Sequence, residues 1–181
     1  MRRRIAAAFL FIAALGVAPG ASAQDDLVDR IISVPVPAQY HVEGVRNARV
    51  RTDESVQGGK ALRVPITGRS DQPWTVQVAV PINRAVRAGD NLILAFWARL
   101  EEGDNGATSA TLPYNAVQLA AEPYTAVFSG PATIGPEWAM QEIRGRADRD
   151  YAEGALSVTL HLATGHQTVD IGPVFVLDMG Q

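Results

Sequence analysis

The chain has 181 residues, 47% of them hydrophobic and 19% charged, with a formal charge of −3, three histidines and no cysteine. This composition excludes a disulfide framework, a cysteine nucleophile and a cysteine-linked lipid anchor. An acidic balance with Lys60 as the only lysine is also unsuited to nucleic acid or an anionic membrane surface, and leaves arginine as the basic side chain, able to stack and to fork hydrogen bonds.

In chain order, Arg2, Arg3 and Arg4 form a basic start, residues 5–17 an apolar run, and Ala21-Ser22-Ala23 a small-residue cleavage site. Residues 1–23 therefore read as an export signal, with the mature chain beginning at Gln24 and a periplasmic or secreted destination expected. The apolar run is too short for a spanning helix, so no membrane insertion is expected after cleavage. Residues 24–44 read as a linker plus an edge strand at Ile31-Ile32-Ser33-Val34, because Pro35 and Pro37 suit a sheet edge and not a central ladder. Residues 45–181 are enough for one domain with a full core.

Within that domain residues 45–50 read as a weak strand, followed by a polar turn over 52–59. Leu62, Val64 and Ile66 then alternate with Arg63, Pro65 and Thr67, and Val76, Val78 and Val80 with Thr75, Gln77 and Ala79, Pro81 closing the second run. After the turn Ala88-Gly89-Asp90-Asn91, one face of the next strand holds Leu92, Leu94, Phe96 and Ala98 and the other Ile93, Ala95, Trp97 and Arg99, apolar enough on both faces for a central position. Residues 101–107 are an acidic loop, and 116–121 and 124–129 are strands broken at Pro123. In 138–146 Trp138 and Met140 share a parity that Ile143 does not, which predicts a bulge. Leu156, Val158, Leu160 and Leu162 alternate with Ser157, Thr159, His161 and Ala163, and residues 168–178 close the fold. No segment holds a sustained helical period, and about nine or ten short strands at this spacing mean a sandwich or barrel.

In their order and spacing, Lys60-Ala61-Leu62-Arg63-Val64, Gln72-Pro73-Trp74-Thr75-Val76-Gln77, Gly89-Asp90 with Leu94-Ala95-Phe96-Trp97-Ala98-Arg99, Pro123-Tyr124-Thr125, Glu137-Trp138 and the paired closing strands resemble the β-jelly-roll carbohydrate-binding modules of families 4, 9 and 22, a galactose-binding-domain-like group that accompanies xylanases and glucanases. The resemblance covers residues 49–177. It implies an all-β, jelly-roll β-sandwich of two antiparallel sheets that binds a neutral polysaccharide or oligosaccharide of the xylan or β-glucan class without catalysis. A glycoside hydrolase is the partner it implies, and an envelope protein the partner under a competing interaction reading. Such modules usually carry an Ile-Asp-Asp/Asn-Val pattern in the closing strand that contributes to a structural calcium site. Here Ile171-Gly172-Pro173-Val174 stands in its place, and Asp170 lies two residues early with its side-chain parity kept. Calcium needs six to eight oxygens from several segments, so the ion is left open and no other cofactor is expected.

If the alternation holds, the outward positions collect Arg63, Gln77, Trp97, Arg99, Gln118, Thr159 and His161 on one sheet face, with Tyr114 and Tyr124 beside it in loops. Sugars offer flat C–H faces to aromatic rings and hydroxyl rims to amide, guanidinium and imidazole groups, so these are the candidate ligand-binding residues. A second reading has Trp97 covered by a loop and the two arginines paired with Glu101 or Glu102. Trp74 shares parity with Val76 and is expected in the core, or at the rim if the strand begins after it; Trp138 is also expected in the core. The acids Glu101, Glu102, Asp104, Asp148, Asp150 and Glu153 fall in polar turns, with no pair placed across a cleft as a glycosidase requires. No Gly-x-Ser-x-Gly elbow occurs, His161 and His166 point differently, and His41 is isolated. No enzyme is expected. The competing reading is an exported accessory or protein-interaction β-sandwich that binds no sugar.

Overall fold

The computed structural model describes residues 27–181; the export signal and its cleavage site lie outside the described residues. Ten strands form two sheets. One sheet contains β1 (His41–Glu43), β4 (Gln77–Pro81), β9 (Leu156–His161), β6 (Ala110–Leu119) and β7 (Ala126–Ile134), adjacent in that order. The other contains β2 (Arg49–Thr52), β3 (Lys60–Arg69), β10 (Thr164–Asp178), β5 (Asn91–Glu102) and β8 (Ala139–Arg146). Every pairing is antiparallel, as the jelly-roll expectation requires.

The period-two pattern explains how the sheets meet. Val78, Val80, Val158 and Leu160 from the first sheet, and Val64, Leu94, Phe96, Ile171 and Val176 from the second, all point inward and are buried. Each fully buried Val, Leu, Ile or Phe side chain contributes roughly 1.5–3 kcal/mol of transfer free energy, so the facing rows hold the sandwich closed. β5 lies between β10 and β8, which accounts for a strand apolar on both faces. β4 and β5, the two runs around the Gly89 turn, belong to opposite sheets, so that turn crosses the sandwich.

Three local expectations are corrected. The strand expected over 45–50 is replaced by β1, one residue after Tyr40, and by β2 in the opposite sheet, because the chain crosses between sheets there. The edge strand at 31–34 is a strap with single bridges to each sheet, Ile31 to Leu177 and Ser33 to Ile82. It closes the edge of β10 past Ile171, where β3 no longer reaches. The Ser33 hydroxyl accepts from the Val176 amide at 2.8 Å and donates to the Val174 carbonyl at 3.0 Å. The Tyr40 hydroxyl accepts from the Val174 amide at 2.8 Å and donates to the Gly172 carbonyl at 3.3 Å, and burial pushes its pKa well above that of the usual phenol. The third correction concerns β8, which pairs with β5 without a break from Asn91–Arg146 to Ala98–Ala139. Trp138 precedes the strand and Met140 faces outward, so no bulge is needed; the register of β5 shifts instead against β10, between Thr168 and Val169 and between Ile171 and Val174.

Candidate functional site

The outward row of the first sheet is set by register. Glu43 lies opposite Gln77 and Gln77 opposite His161; His41 lies opposite Ala79 and Ala79 opposite Thr159; Gln118 lies opposite Ser157. Together with Trp74, Tyr114 and Tyr124 these side chains line an open groove of roughly 1120 Å³. Among the described residues Glu43 is the one carboxylate that lines the groove, and no lysine or arginine does; a single carboxylate does not meet the two-carboxylate requirement of glycoside hydrolysis.

At one end of the groove three rings converge. Tyr114 stacks on His161 with centroids 4.5 Å apart and planes 24° apart, while Trp74 stands over the same imidazole at 6.1 Å and 54°. Enclosed in this way, His161 has its pKa pushed down to about 4 by burial, so it is neutral at physiological pH. Trp74 sits in the 3-10 turn Pro73–Thr75 ahead of β4 and is 50% exposed. The expectation of a core role for it is corrected: Pro73 starts a tight turn, the strand begins later, and the ring is released from the inward parity to the rim. At the far end Tyr124 is 52% exposed and holds a left-handed backbone, φ +54°, which a residue other than glycine adopts at a cost of about 1–3 kcal/mol.

Between the two ends, polar groups are fixed in place. The Thr159 hydroxyl donates to Gln77 Oε1 at 2.9 Å, and Gln77 Nε2 donates to Glu43 Oε2 at 2.6 Å. His41 Nε2 stands 3.4 Å from the other Glu43 oxygen. Gln118 is only 8% exposed, lines the groove, and its side-chain amide takes part in no hydrogen bond with the described residues. Neither amide atom is among the side-chain atoms sealed from solvent without a partner, so both open into the groove, free to bond water or a ligand.

Gln77, Gln118, Thr159, His161 and Tyr124 are therefore brought together. Arg63, Trp97 and Arg99 are not: they lie on the outer face of the opposite sheet, because β3 and β5 belong to that sheet. The placement of all seven outward residues on one face is thus corrected; alternation within a strand gives its inward and outward sides but does not say which sheet it joins. On that second face Asp170, fully buried, accepts from Arg63 Nε at 2.8 Å and Nη2 at 2.9 Å, from Arg99 Nε at 3.0 Å and from Arg51 Nη1 at 3.1 Å. Glu101 pairs with Arg63 and, at 2.8 Å, with Arg99, the arrangement expected under the second reading of the arginines. Burial pushes the Asp170 carboxyl up, but the hydrogen bonds and charges of Arg63 and Arg99 outweigh it and hold it below the usual range. A carboxylate committed to three guanidinium groups does not fit a cation ligand. At the neighbouring Gly172 a Cβ would fall 2.8 Å from Val56 and 2.9 Å from Trp97, so the position offers no room for a further carboxylate. Trp97 donates to Gln57 Oε1 at 3.0 Å. Trp138 is half-buried on this outer face beneath Arg99, whose guanidinium lies 5.0 Å from the ring centre, and is not part of the core between the sheets.

Sequence reasoning passed over Glu43, which nothing in its neighbourhood of the chain marks and which only the pairing of β1 with β4 brings to Gln77. Ser157 was visible as an outward residue of the cleanest strand.

No family model matches the sequence, and no curated protein matches it. Solved structures are similar in fold. The second N-terminal cellulose-binding domain of the β-1,4-glucanase C of Cellulomonas fimi superposes with a TM-score of 0.59 at 17% identity, over 86% of this chain and 95% of that one. A family 4 carbohydrate-binding module superposes at 0.58 and 15% identity, over 78% and 96% of the two chains. A family 22 xylan-binding domain from Paenibacillus barcinonensis superposes at 0.54 and 10% identity, over 84% and 93%. The chain has the β-jelly-roll fold of these modules.

Proposed function

We propose that the groove on the first sheet binds a neutral polysaccharide of the β-glucan or xylan class, by stacking on Trp74 and Tyr124 and by hydrogen bonds from Gln118 and from Gln77, which Thr159 holds in place, without catalysis. The observation that carries this reading is the Gln118 amide, unclaimed by any group among the described residues, on the floor of a groove with exposed aromatic rings at both ends. Sugar hydroxyls supply both the donor and the acceptor such an amide lacks, and the rings supply apolar faces for sugar C–H groups. Fold similarity to cellulose-binding and xylan-binding domains agrees with this assignment, though function resides in the site. The export signal read from residues 1–23 would deliver the domain to the periplasm or outside the cell, where such polymers are met.

The test is retardation of the protein in native gels cast with xylan, mixed-linkage β-glucan, mannan or galactan, beside Gln118→Ala and Trp74→Ala variants. Retardation by one glycan that both variants lose supports the proposal. Identical migration of wild type and variants in every gel overturns it and favours the protein-docking alternative.

A further inference from the structure

A second, polar depression of roughly 500 Å³ lies beyond the His161 end of the groove, and Pro73 and Pro113 line both, so the two adjoin. Its lining includes Arg69, Ser109, Thr111, Thr164 and Gln167 and no aromatic residue. Gln167 is only 4% exposed. Its Nε2 is occupied, donating to the Leu162 carbonyl at 3.2 Å and to Thr164 Oγ1 at 2.9 Å. Its Oε1 receives no hydrogen bond from the described residues, yet it is not among the side-chain atoms sealed from solvent without a partner. That oxygen is therefore a free acceptor opening into the depression. Thr164 Oγ1 accepts from Gln167, so its own hydrogen is left to donate outward. One fixed acceptor and one fixed donor, without a stacking ring, suit a group rich in hydroxyls. Arg69 shares the depression with Asp71 and Asp104, a mixed balance that selects no strong anion.

We infer that this depression is a subsite for one additional neutral sugar unit of the polysaccharide held in the groove, bound by hydroxyl hydrogen bonds at Gln167 and Thr164. The inference rests on the proposed function. The additional unit has two sources with the same chemistry, a chain end and a branch.

The experiment is isothermal titration of wild type, Thr164→Val and Arg69→Ala with a ladder of linear β-1,4-xylo- and cello-oligosaccharides and with the same backbones carrying single arabinose or xylose branches. Thermal melts serve as the control for folding. An affinity gain of about three- to tenfold on adding one unit, by length for a chain end or by substitution for a branch, is the expected result in wild type. Thr164→Val is expected to remove that gain while leaving the affinity for short linear oligomers within about twofold. No gain in either series, or a gain that survives in Thr164→Val, overturns the subsite and leaves the groove reading standing; Arg69→Ala is expected to keep the gain. A wild type that binds no oligomer overturns the groove reading and the subsite with it.

Discussion

Thr159 and Gln77, separated by 82 positions in the chain, are joined by a hydrogen bond of 2.9 Å that sets which end of the Gln77 amide faces which neighbour. The amide nitrogen completes the line by donating to Glu43 on the next strand, so three strands hold one side chain in a single orientation. Preorganised in this way, Gln77 loses little freedom when a ligand arrives. Thr159→Val keeps the shape and removes the hydroxyl. It is expected to weaken glycan binding by about 1 kcal/mol, roughly fivefold, as titration calorimetry on wild type and variant would show. A variant that binds as tightly as wild type contradicts a positioning role for Thr159.

The tryptophans separate by face. Trp74→Ala removes an exposed ring from the groove and is expected to cost about tenfold or more in glycan affinity, while stability moves by no more than about 0.5 kcal/mol. Trp97→Ala acts on the opposite sheet, where the half-buried indole donates to Gln57; stability should fall by about 2 kcal/mol with glycan affinity unchanged. Urea melts and binding isotherms on both variants check this, and a loss of binding in Trp97→Ala alone would move the site to the second face.

His161 links groove and stability through pH. Its folded pKa is about 4 against 6.5 for the free side chain. The unfolded chain therefore takes up the proton first, and stability falls as pH drops from about 6.5 to about 4, flat above and below that window, by up to about 3 kcal/mol. Denaturant melts across this range should show the slope, and His161→Gln should flatten it. Glycan affinity, with the imidazole neutral, is expected to hold from neutral pH down to about 5 and to decline toward 4.

Much of the fold was legible because burial leaves a period of two in each strand: the inward rows of β3, β4, β5 and β9 match the alternation residue for residue. The site was legible only in part. Gln77, Thr159 and His161 are outward on neighbouring strands of one sheet, but Arg63 and Arg99 have the same outward parity on the other. Sheet membership is decided by non-local pairing, which a strand's own pattern does not encode. Trp74 went astray for a local reason, the turn begun by Pro73, and Trp138 because it precedes its strand.

Asp170 binds three strands of the second sheet through Arg51, Arg63 and Arg99. Asp170→Asn removes the buried charge the guanidinium groups share and is expected to destabilise the domain by about 3 kcal/mol or more, with groove affinity retained. Because the folded carboxyl is held below 3.8, its contribution is full above that value and is lost as pH falls through the lower folded one. Chelator treatment should leave this network unchanged, since arginine and not a metal ion fills the carboxylate; a chelator-induced drop in melting temperature that Asp170→Asn abolishes would contradict that assignment.

Where β7 and β8 meet at the side of the sandwich, a Cβ on Gly145 would fall 2.1 Å from Phe128 Cγ. Gly145→Ala must therefore displace the ring or the edge strand, at a cost of about 1–3 kcal/mol, and thermal melts should register it.

The strap at Ser33 and Tyr40 imposes an order of assembly. Its bonds to β10 join residues 132 to 143 positions apart, among the longest loops the described chain closes. Contacts of such separation are slow to find, and here the earliest part of the domain to be synthesised waits for the last strand before either is complete. A chain halted before Val174 has no partner for Ser33, and one halted before Thr164 also lacks the strand between β3 and β5. The second sheet is thus completed only by the last strand, which ties the earliest residues of the domain to the latest.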